Sequence, residues 1–590
     1  MPTPSTYFTY RELFDRVSTQ DELVSIVKGL NAFNTVLLTS RLNTIFRHSV
    51  WSSHPEDSNA LNRFQIWFAT VFFDTETKQR LEQRFGDQSP TRRPVCHPLQ
   101  FLNIMRLALS VAEGDESTRP DTSQTHTFQF GTVSLIVNDL LLTAEEKENL
   151  RVGTNDDKRR QLMLQSLASI EISNPTDPSN LLFRSYGMYR IALRDPQLLD
   201  RIKKECGALD IEQDFEKLFG IPLFGWLSLV FGVQSLLLNF THADFLNKPE
   251  TFLINRRTLL QASNLSQTQI DDFFDSLSLS FDDLRLEMRK ERPADDRFDV
   301  VPFKSKPLLL TAPDSYACLD FGLFTEKMHT GPYFLLANKL PSNERWKIFN
   351  AWGLLFEAYA NWLLLSLSGK YGAVLFPDTH WVDDDTKAFD AVFVKQRMVT
   401  TMEFKGGFLP QNARYSNNLD TFMAALEERV GEGCHQLARD IGTLFPEIGS
   451  SRKLQGVSIP SNTLFVLPVL VVQDLILRAP FINYFLNQRF QSERTQFPTG
   501  NRVEVLPLTV IQITELEDLV QKAEARDFDV LHFFHRRCQL DKEMLGEIAN
   551  FRSLIPPAIR DRPTRFKEVF NKSSEDMCAI LFKEESDEKS

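Results

Sequence analysis

Three residues near the middle of the chain have types and spacing that could do chemistry: Asp390, Glu403 and Lys405. Asp390 opens the short β-type run Asp390-Ala391-Val392-Phe393-Val394, and Glu403-Phe404-Lys405 closes the next one, which starts at Val399. Alternate side chains of an extended strand share a face, so Glu403 and Lys405 are expected on one side and Met402 and Phe404 on the other. The apolar pair would face a core, leaving a carboxylate and an ammonium side by side near the strand end. Gly406 and Gly407 follow, a pair that lets a backbone turn sharply or come close to a ligand. One acid, then a second acid two positions from a lysine, suits hydrolysis of a phosphodiester with a divalent metal. As a plain solvent-facing ion pair, Glu403 and Lys405 would be worth under ~1 kcal/mol. That alternative accounts for the two residues but not for the glycines or the order of the elements.

A carboxylate upstream extends the set. Glu357 lies in the helix-like stretch Phe349-Asn350-Ala351-Trp352-Gly353-Leu354-Leu355-Phe356-Glu357-Ala358-Tyr359. Helix positions three, four and seven apart share a face, and around Glu357 these are Asn350, Gly353, Leu354, Ala360, Asn361 and Leu364, mostly small or polar. Such a recess suits a glutamate reaching toward a metal; an exposed helix glutamate is the competing reading.

The order helix acid, strand acid, strand E-x-K, then helix resembles the PD-(D/E)XK nuclease superfamily, whose fold is the restriction-endonuclease core. The resemblance covers roughly residues 340 to 525 and stops at the level of the superfamily. It implies that Asp390 is the metal-binding aspartate, that Glu403 and Lys405 are the acid and lysine of E-x-K, and that Glu357 is the glutamate of the preceding helix. It also implies Mg²⁺ as cofactor, with Mn²⁺ as a substitute, held by Asp390, Glu403 and Glu357. Lys405 would orient the attacking water or stabilise charge on the phosphate. Gln436, on the helix expected after the E-x-K strand, sits where some members carry a supporting glutamine.

Rival residues are present. Pro377-Asp378 spells a literal "PD" but lies farther from Glu403, whereas Asp390 precedes it by the length of a hairpin. Asp383-Asp384-Asp385-Thr386-Lys387 reads as a solvated hairpin tip. His532, His535 and Cys538 share a helix face, yet no fourth ligand is near, so zinc is not expected there. No G-x-x-x-x-G-K phosphate loop and no G-x-S-x-G elbow occurs.

The elements needed to position these groups are a helix over 343–368, strands near 372–377, 389–395 and 398–405, and a helix over 417–443. Buried strands are expected at 464–472 and 503–513, with helix again from Glu515 to about 570. The predicted fold class is therefore an α/β, restriction-endonuclease-like core with a mixed sheet between helices, over residues 343–525. A large, mostly α-helical recognition or regulatory module over 1–295 precedes it, joined by a β-hairpin bridge over 296–342. C-terminal helices and an acidic tail fill 526–590. Thr19 with Glu22 and Ser266 with Gln269 read as capping boxes.

At 590 residues the chain exceeds one core, and 42% hydrophobic with 24% charged residues is an ordinary globular balance. A net charge of −12 argues against a broad basic surface, so nucleic-acid binding would rest on local patches. The candidates are Arg552, Arg560, Arg562, Arg565 and Lys567; Arg536-Arg537; and Lys158-Arg159-Arg160. Six scattered cysteines without a C-x-x-C pair, and a start without a secretory pattern, fit the cytoplasm. The uncharged run Leu218 to Thr241 is long enough to cross a bilayer, but its glycines, Pro222, Gln234 and Asn239 favour a buried helix pair and no membrane. The expected function is a Mg²⁺-dependent nuclease, DNA preferred over RNA, with analogy of architecture pointing to prokaryotic restriction or anti-phage defence. A protein partner or second copy would engage the N-terminal helical module. The alternative is a binding or scaffold protein with an inactive nuclease fold.

Overall fold

Antiparallel neighbours can be joined by a tight turn, whereas parallel neighbours need a long crossover, and the main sheet uses both connections. The computed structural model describes residues 7–51, 60–86, 94–114, 124–141, 156–173, 176–238, 245, 248–290, 299–415, 418–479, 481–525, 528–541 and 563–582. Up to residue 252 the described elements are helices. Four short strands then form a small sheet: β1 (Leu253–Asn255), β2 (Ser278–Ser280), β3 (Leu308–Ala312) and β4 (Ser315–Cys318), in the order β1-β4-β3-β2. The expected hairpin is β3–β4, turning at Asp314 with φ 69°. Its two edges are taken by β1, antiparallel to β4, and β2, parallel to β3, so strands from the helical half complete it.

The main sheet contains β5 (Val374–His380), β6 (Lys387–Lys395), β7 (Met398–Lys405), β8 (Phe465–Val472), β9 (Glu504–Val505) and β10 (Thr509–Gln512). Its order is β10-β8-β7-β6-β5, with β9 also on β8. The β5–β6–β7 meander is antiparallel, while β7, β8 and β10 run parallel. The crossover from β7 to β8 carries the helices Leu419–Leu426 and Glu432–Leu444. These two elements were expected as one helix over 417–443; a π-helical turn over Glu427–Gly431 divides them. The strand expected over 503–513 is likewise two pieces, β9 and β10, separated by a segment containing Pro507, which has no N–H for a ladder.

Sheet alternation separates two cores. Ala391, Phe393, Met402, Phe404, Val469 and Val471 pack with Trp352, Phe356 and Tyr359 of the helix Arg345–Leu364. On the other face Val392, Val399, Val466 and Leu470 pack with Leu437 and Ile441 of Glu432–Leu444 and with Leu486 and Phe490 of Ile482–Arg494. Cover on both faces explains why β8 is apolar throughout. The first core continues without a break into Leu182, Phe183, Trp226 and Val230 of the helical half.

Polar ties cross the same boundary. Arg184, on the helix Pro178–Tyr186, donates to Glu517 at 2.7 and 2.9 Å, and Tyr359 donates to the same carboxylate at 2.7 Å. A second buried network joins Lys304 to Glu171, Glu171 to Arg414 and Tyr415, and Arg414 to Asp474 and the Leu409 carbonyl.

The uncharged run forms most of the bent pair Ile211–Phe219 and Leu223–Leu237, which meet at 70°. Most of Leu223–Leu237 is buried, and no single helix among the described residues is long and apolar enough to cross a membrane. Ser266 and Gln269 form the complete capping box; Thr19 caps its helix, but the Glu22 carboxylate pairs with Arg16 instead.

Because Arg184 and Glu517 are paired inside the protein, deleting one leaves a charge unmatched in a poor solvent. Arg184→Ala should destabilise by about 3–5 kcal/mol, read as a lowered urea midpoint. A change below about 1 kcal/mol would show that this contact does not hold the helical half to the sheet.

Candidate active site

The β6–β7 register pairs Ala391 with Met402 and Val392 with Thr401; one further step sets Asp390 opposite Glu403. The Phe404 N–H donates to Asp390 Oδ2 at 2.6 Å. Lys405 Nζ donates to Glu403 Oε1 at 2.9 Å and to Gln436 Oε1 at 2.5 Å. Glu357 reaches the same corner from the helix Arg345–Leu364, which Asn361 ties to β6 through the Asp390 carbonyl at 3.2 Å. Asp390, Glu403, Lys405, Glu357 and Gln436 are thus brought together around the end of β7.

Two residues that sequence reasoning missed complete the corner. Lys387 Nζ lies 2.5 Å from Glu357 Oε1 and 2.5 Å from Asp390 Oδ1. Arg201 Nη1, from the helix Pro196–Glu205, lies 3.2 Å from Glu357 Oε1. The reading of Lys387 as part of a solvated tip is therefore corrected: its ammonium bridges two of the acids. Asp378 stands at the rim, exposed and with a left-handed φ of 46°, 3.4 Å from Lys387 Nζ and 4.0 Å from Arg201 Nη1.

Local backbone features explain the convergence. In a regular strand Lys387 and Asp390, three residues apart, would face opposite sides. The pairing shifts from Thr379↔Phe389 to His380↔Lys387, leaving Ala388 as an extra residue on β6. This bulge restores the phase and aims Lys387 at the acids. Gly406 does not use a left-handed φ; a Cβ there would lie 2.7 Å from Phe356 Cβ. It lets the Glu357 helix approach the end of β7. Gly433 does the same on the other side, where a Cβ would lie 2.9 Å from Lys405 Cε.

Burial, and then the charge of Glu403, push Asp390 up to about 6, with Lys387 and the Phe404 N–H pulling back. Burial and then Asp390 raise Glu357, and burial raises Glu403 against the pull of Lys405. Lys387 rises despite its own burial, because Asp390 and Glu357 hold its charge. The corner therefore favours added positive charge. Among the described residues no group of three His, Cys, Asp or Glu side chains is arranged to hold a metal ion. The position between Glu357 and Asp390 is taken by the Lys387 ammonium, which shows that both carboxylates can close on one cation.

The basic patches fare differently. Arg552, Arg560 and Arg562, like the acidic tail over 584–588, lie outside the described residues. Arg565 stacks over Trp362 at 4.1 Å and donates to Glu524 at 3.0 Å, and buried Arg537 donates to the Val510 carbonyl at 3.2 Å. Both are structural rather than free phosphate contacts. Arg159 and Arg160 lie over Tyr484 and Phe485. Cys538 is buried against the Pro507 carbonyl, and His535 packs on Phe465.

Comparisons with protein-family profiles, with curated proteins and with solved structures find no match.

A carboxyl raised from its ordinary 3.8 to about 6 keeps a proton in the folded protein that the unfolded chain has released. Its contribution to stability therefore falls as pH rises across that interval. In metal-free buffer, wild type should lose stability relative to Asp390→Asn between those two pH values. A difference curve that stays flat, measured by urea unfolding, would contradict the assigned environment.

Proposed function

We propose that this chain is a divalent-metal-dependent nuclease that hydrolyses phosphodiester bonds of nucleic acid, DNA in preference to RNA. The observation that carries the reading is the convergence of Glu357, Asp390 and Glu403 from one helix and two strands, with Lys405 pinned beside them by Gln436. The element order also supports it: a helix, a three-strand antiparallel meander, crossover helices and a parallel strand agree with what the PD-(D/E)XK resemblance implies.

Asp390, Glu403 and Glu357 are the oxygen donors that would hold Mg²⁺ or Mn²⁺, in keeping with the preference of these ions for carboxylates and water. A bound divalent ion would supply a more acidic water and neutralise charge on the scissile phosphate. Lys387 must withdraw from Glu357 and Asp390 for this; its side chain is 28% exposed, so the ammonium has a path to solvent. Lys405, held by Glu403 and Gln436, would keep its ammonium fixed to orient the water or receive developing negative charge. A role in restriction or anti-phage defence rests on analogy of architecture alone.

Plasmid, linear DNA and RNA incubated with Mg²⁺ or with EDTA test the reading directly. Glu403→Ala and Lys405→Ala should each lower Mg²⁺-dependent cleavage about a hundredfold or more. Both variants should remain folded at the assay temperature, checked by their thermal midpoints. Cleavage that persists in both variants would reject the site.

One observation favours a second reading, an inactive scaffold with a nuclease fold: Lys387 already satisfies Glu357 and Asp390 from within the chain. Mn²⁺ calorimetry separates the two. A nuclease should bind the ion saturably, lose binding in Asp390→Ala, bind more tightly in Lys387→Ala, and weaken as pH falls through about 6, where Asp390 takes up its proton. A scaffold should show no Asp390-dependent binding.

A further inference from the structure

A cavity of about 610 Å³ opens between the helices Gln267–Leu277, Val301–Ser305 and Lys327–Lys339, and none of the proposed nuclease residues lines it. Four lysines line it: Lys304, Lys306, Lys327 and Lys339. The volume is that of a small-molecule site. Lys327 and Lys339 stand at opposite ends of one thirteen-residue helix. At helical rise their Cα atoms are about 18 Å apart, so the basic lining is elongated.

The lysines are unequally provided for. Lys304 is committed to Glu171, with Glu326 at 3.7 Å. Lys306 donates to the Asp275 carbonyl at 2.6 Å, and Lys327, only 7% exposed, donates to the Ser305 carbonyl at 3.3 Å. Both acceptors are neutral. A buried ammonium without a matching anion is costly. Burial, followed by repulsion from Lys304, accordingly lowers Lys327 to about 7, and Glu326 offsets this only in part. Burial likewise lowers Lys306, with Lys339 adding to the effect and Asp275 opposing it. Asp272 and Asp275 line the same cavity, and Asp272 lies against Gly220. Aromatic surface is available at Phe334 and at Phe219, over which Lys339 lies at 6.0 Å.

We propose that this cavity binds an elongated small polyanion, a chain of phosphates either free or carried by a nucleoside, across Lys306, Lys327 and Lys339. An ammonium contacting a phosphate oxygen gains a charge-assisted hydrogen bond, and Lys327, which donates to a neutral carbonyl, would gain a directly bonded anion. The assignment stands apart from the nuclease reading and does not need it.

Isothermal titration of the full chain with tripolyphosphate, ATP and orthophosphate, in EDTA and at fixed ionic strength, tests the proposal. Saturable one-to-one binding of tripolyphosphate or ATP is expected, with orthophosphate much weaker. Lys306→Ala combined with Lys339→Ala, at half-buried and exposed positions, should weaken binding about tenfold or more. Lys327→Met should weaken it at least as much, with a thermal midpoint no lower than wild type, since an uncompensated buried charge is removed. Equal affinity for tripolyphosphate and ATP assigns the site to the phosphate chain alone; ATP binding about tenfold tighter assigns it to a nucleotide. Absence of saturable binding, or undiminished affinity in the double variant, would overturn the proposal.

Discussion

Three carboxylates gathered in a buried corner repel one another, and the ammonium of Lys387 is what lets the corner close. Burial and mutual repulsion raise all three acids, so the fold accepts a strained electrostatic arrangement at the end of β7. Lys387 relieves two of them and Lys405 the third. Everything else around the site is geometry in the service of that balance: the bulge that aims Lys387, the Phe404 N–H on Asp390, and Gln436 behind Lys405. Acids held in this way favour whatever cation can replace the lysine, a property useful for a metal-dependent reaction and costly for a merely structural surface.

Much of this corner was legible in the sequence because it depends on local periodicity. The period of two placed Glu403 beside Lys405, and hairpin length singled out Asp390 over Asp378 as the cross-strand partner. The small and polar residues on one face of the Arg345–Leu364 helix marked Glu357. Element types and most boundaries in the α/β region followed from the same patterns. What escaped was set by departures from periodicity or by distant chain. Ala388 reverses the strand phase, so Lys387 looked solvated. Arg201 arrives from a helix far upstream, with nothing near it in sequence to mark it. The glycine after Lys405 was read as a possible turn, but its reason is the Phe356 side chain on another element. Counting arginines could not show that Arg565 lies on Trp362 or that Arg537 is buried under β10.

The two small residues flanking the site act as spacers. Gly406 sets how near the Glu357 helix comes, and Gly433 sets how near the Gln436 helix comes to Lys405. A methyl group at Gly406 would push back the helix that carries Glu357 by striking Phe356, whereas one at Gly433 would strike the Lys405 side chain itself. Precision at such a corner is thus held by packing of neutral atoms as much as by the charges themselves.

The unbroken apolar core has a consequence for how this chain could be divided. Tyr359 and Trp352 face the sheet on one side and the upstream helices on the other, and Arg184 closes the seam. Severing the polypeptide ahead of the Arg345–Leu364 helix would bare that face to water and strand Glu517 without its guanidinium. The segment that carries the candidate site is therefore not a detachable cassette: its inner wall is borrowed from chain that precedes it by more than a hundred residues.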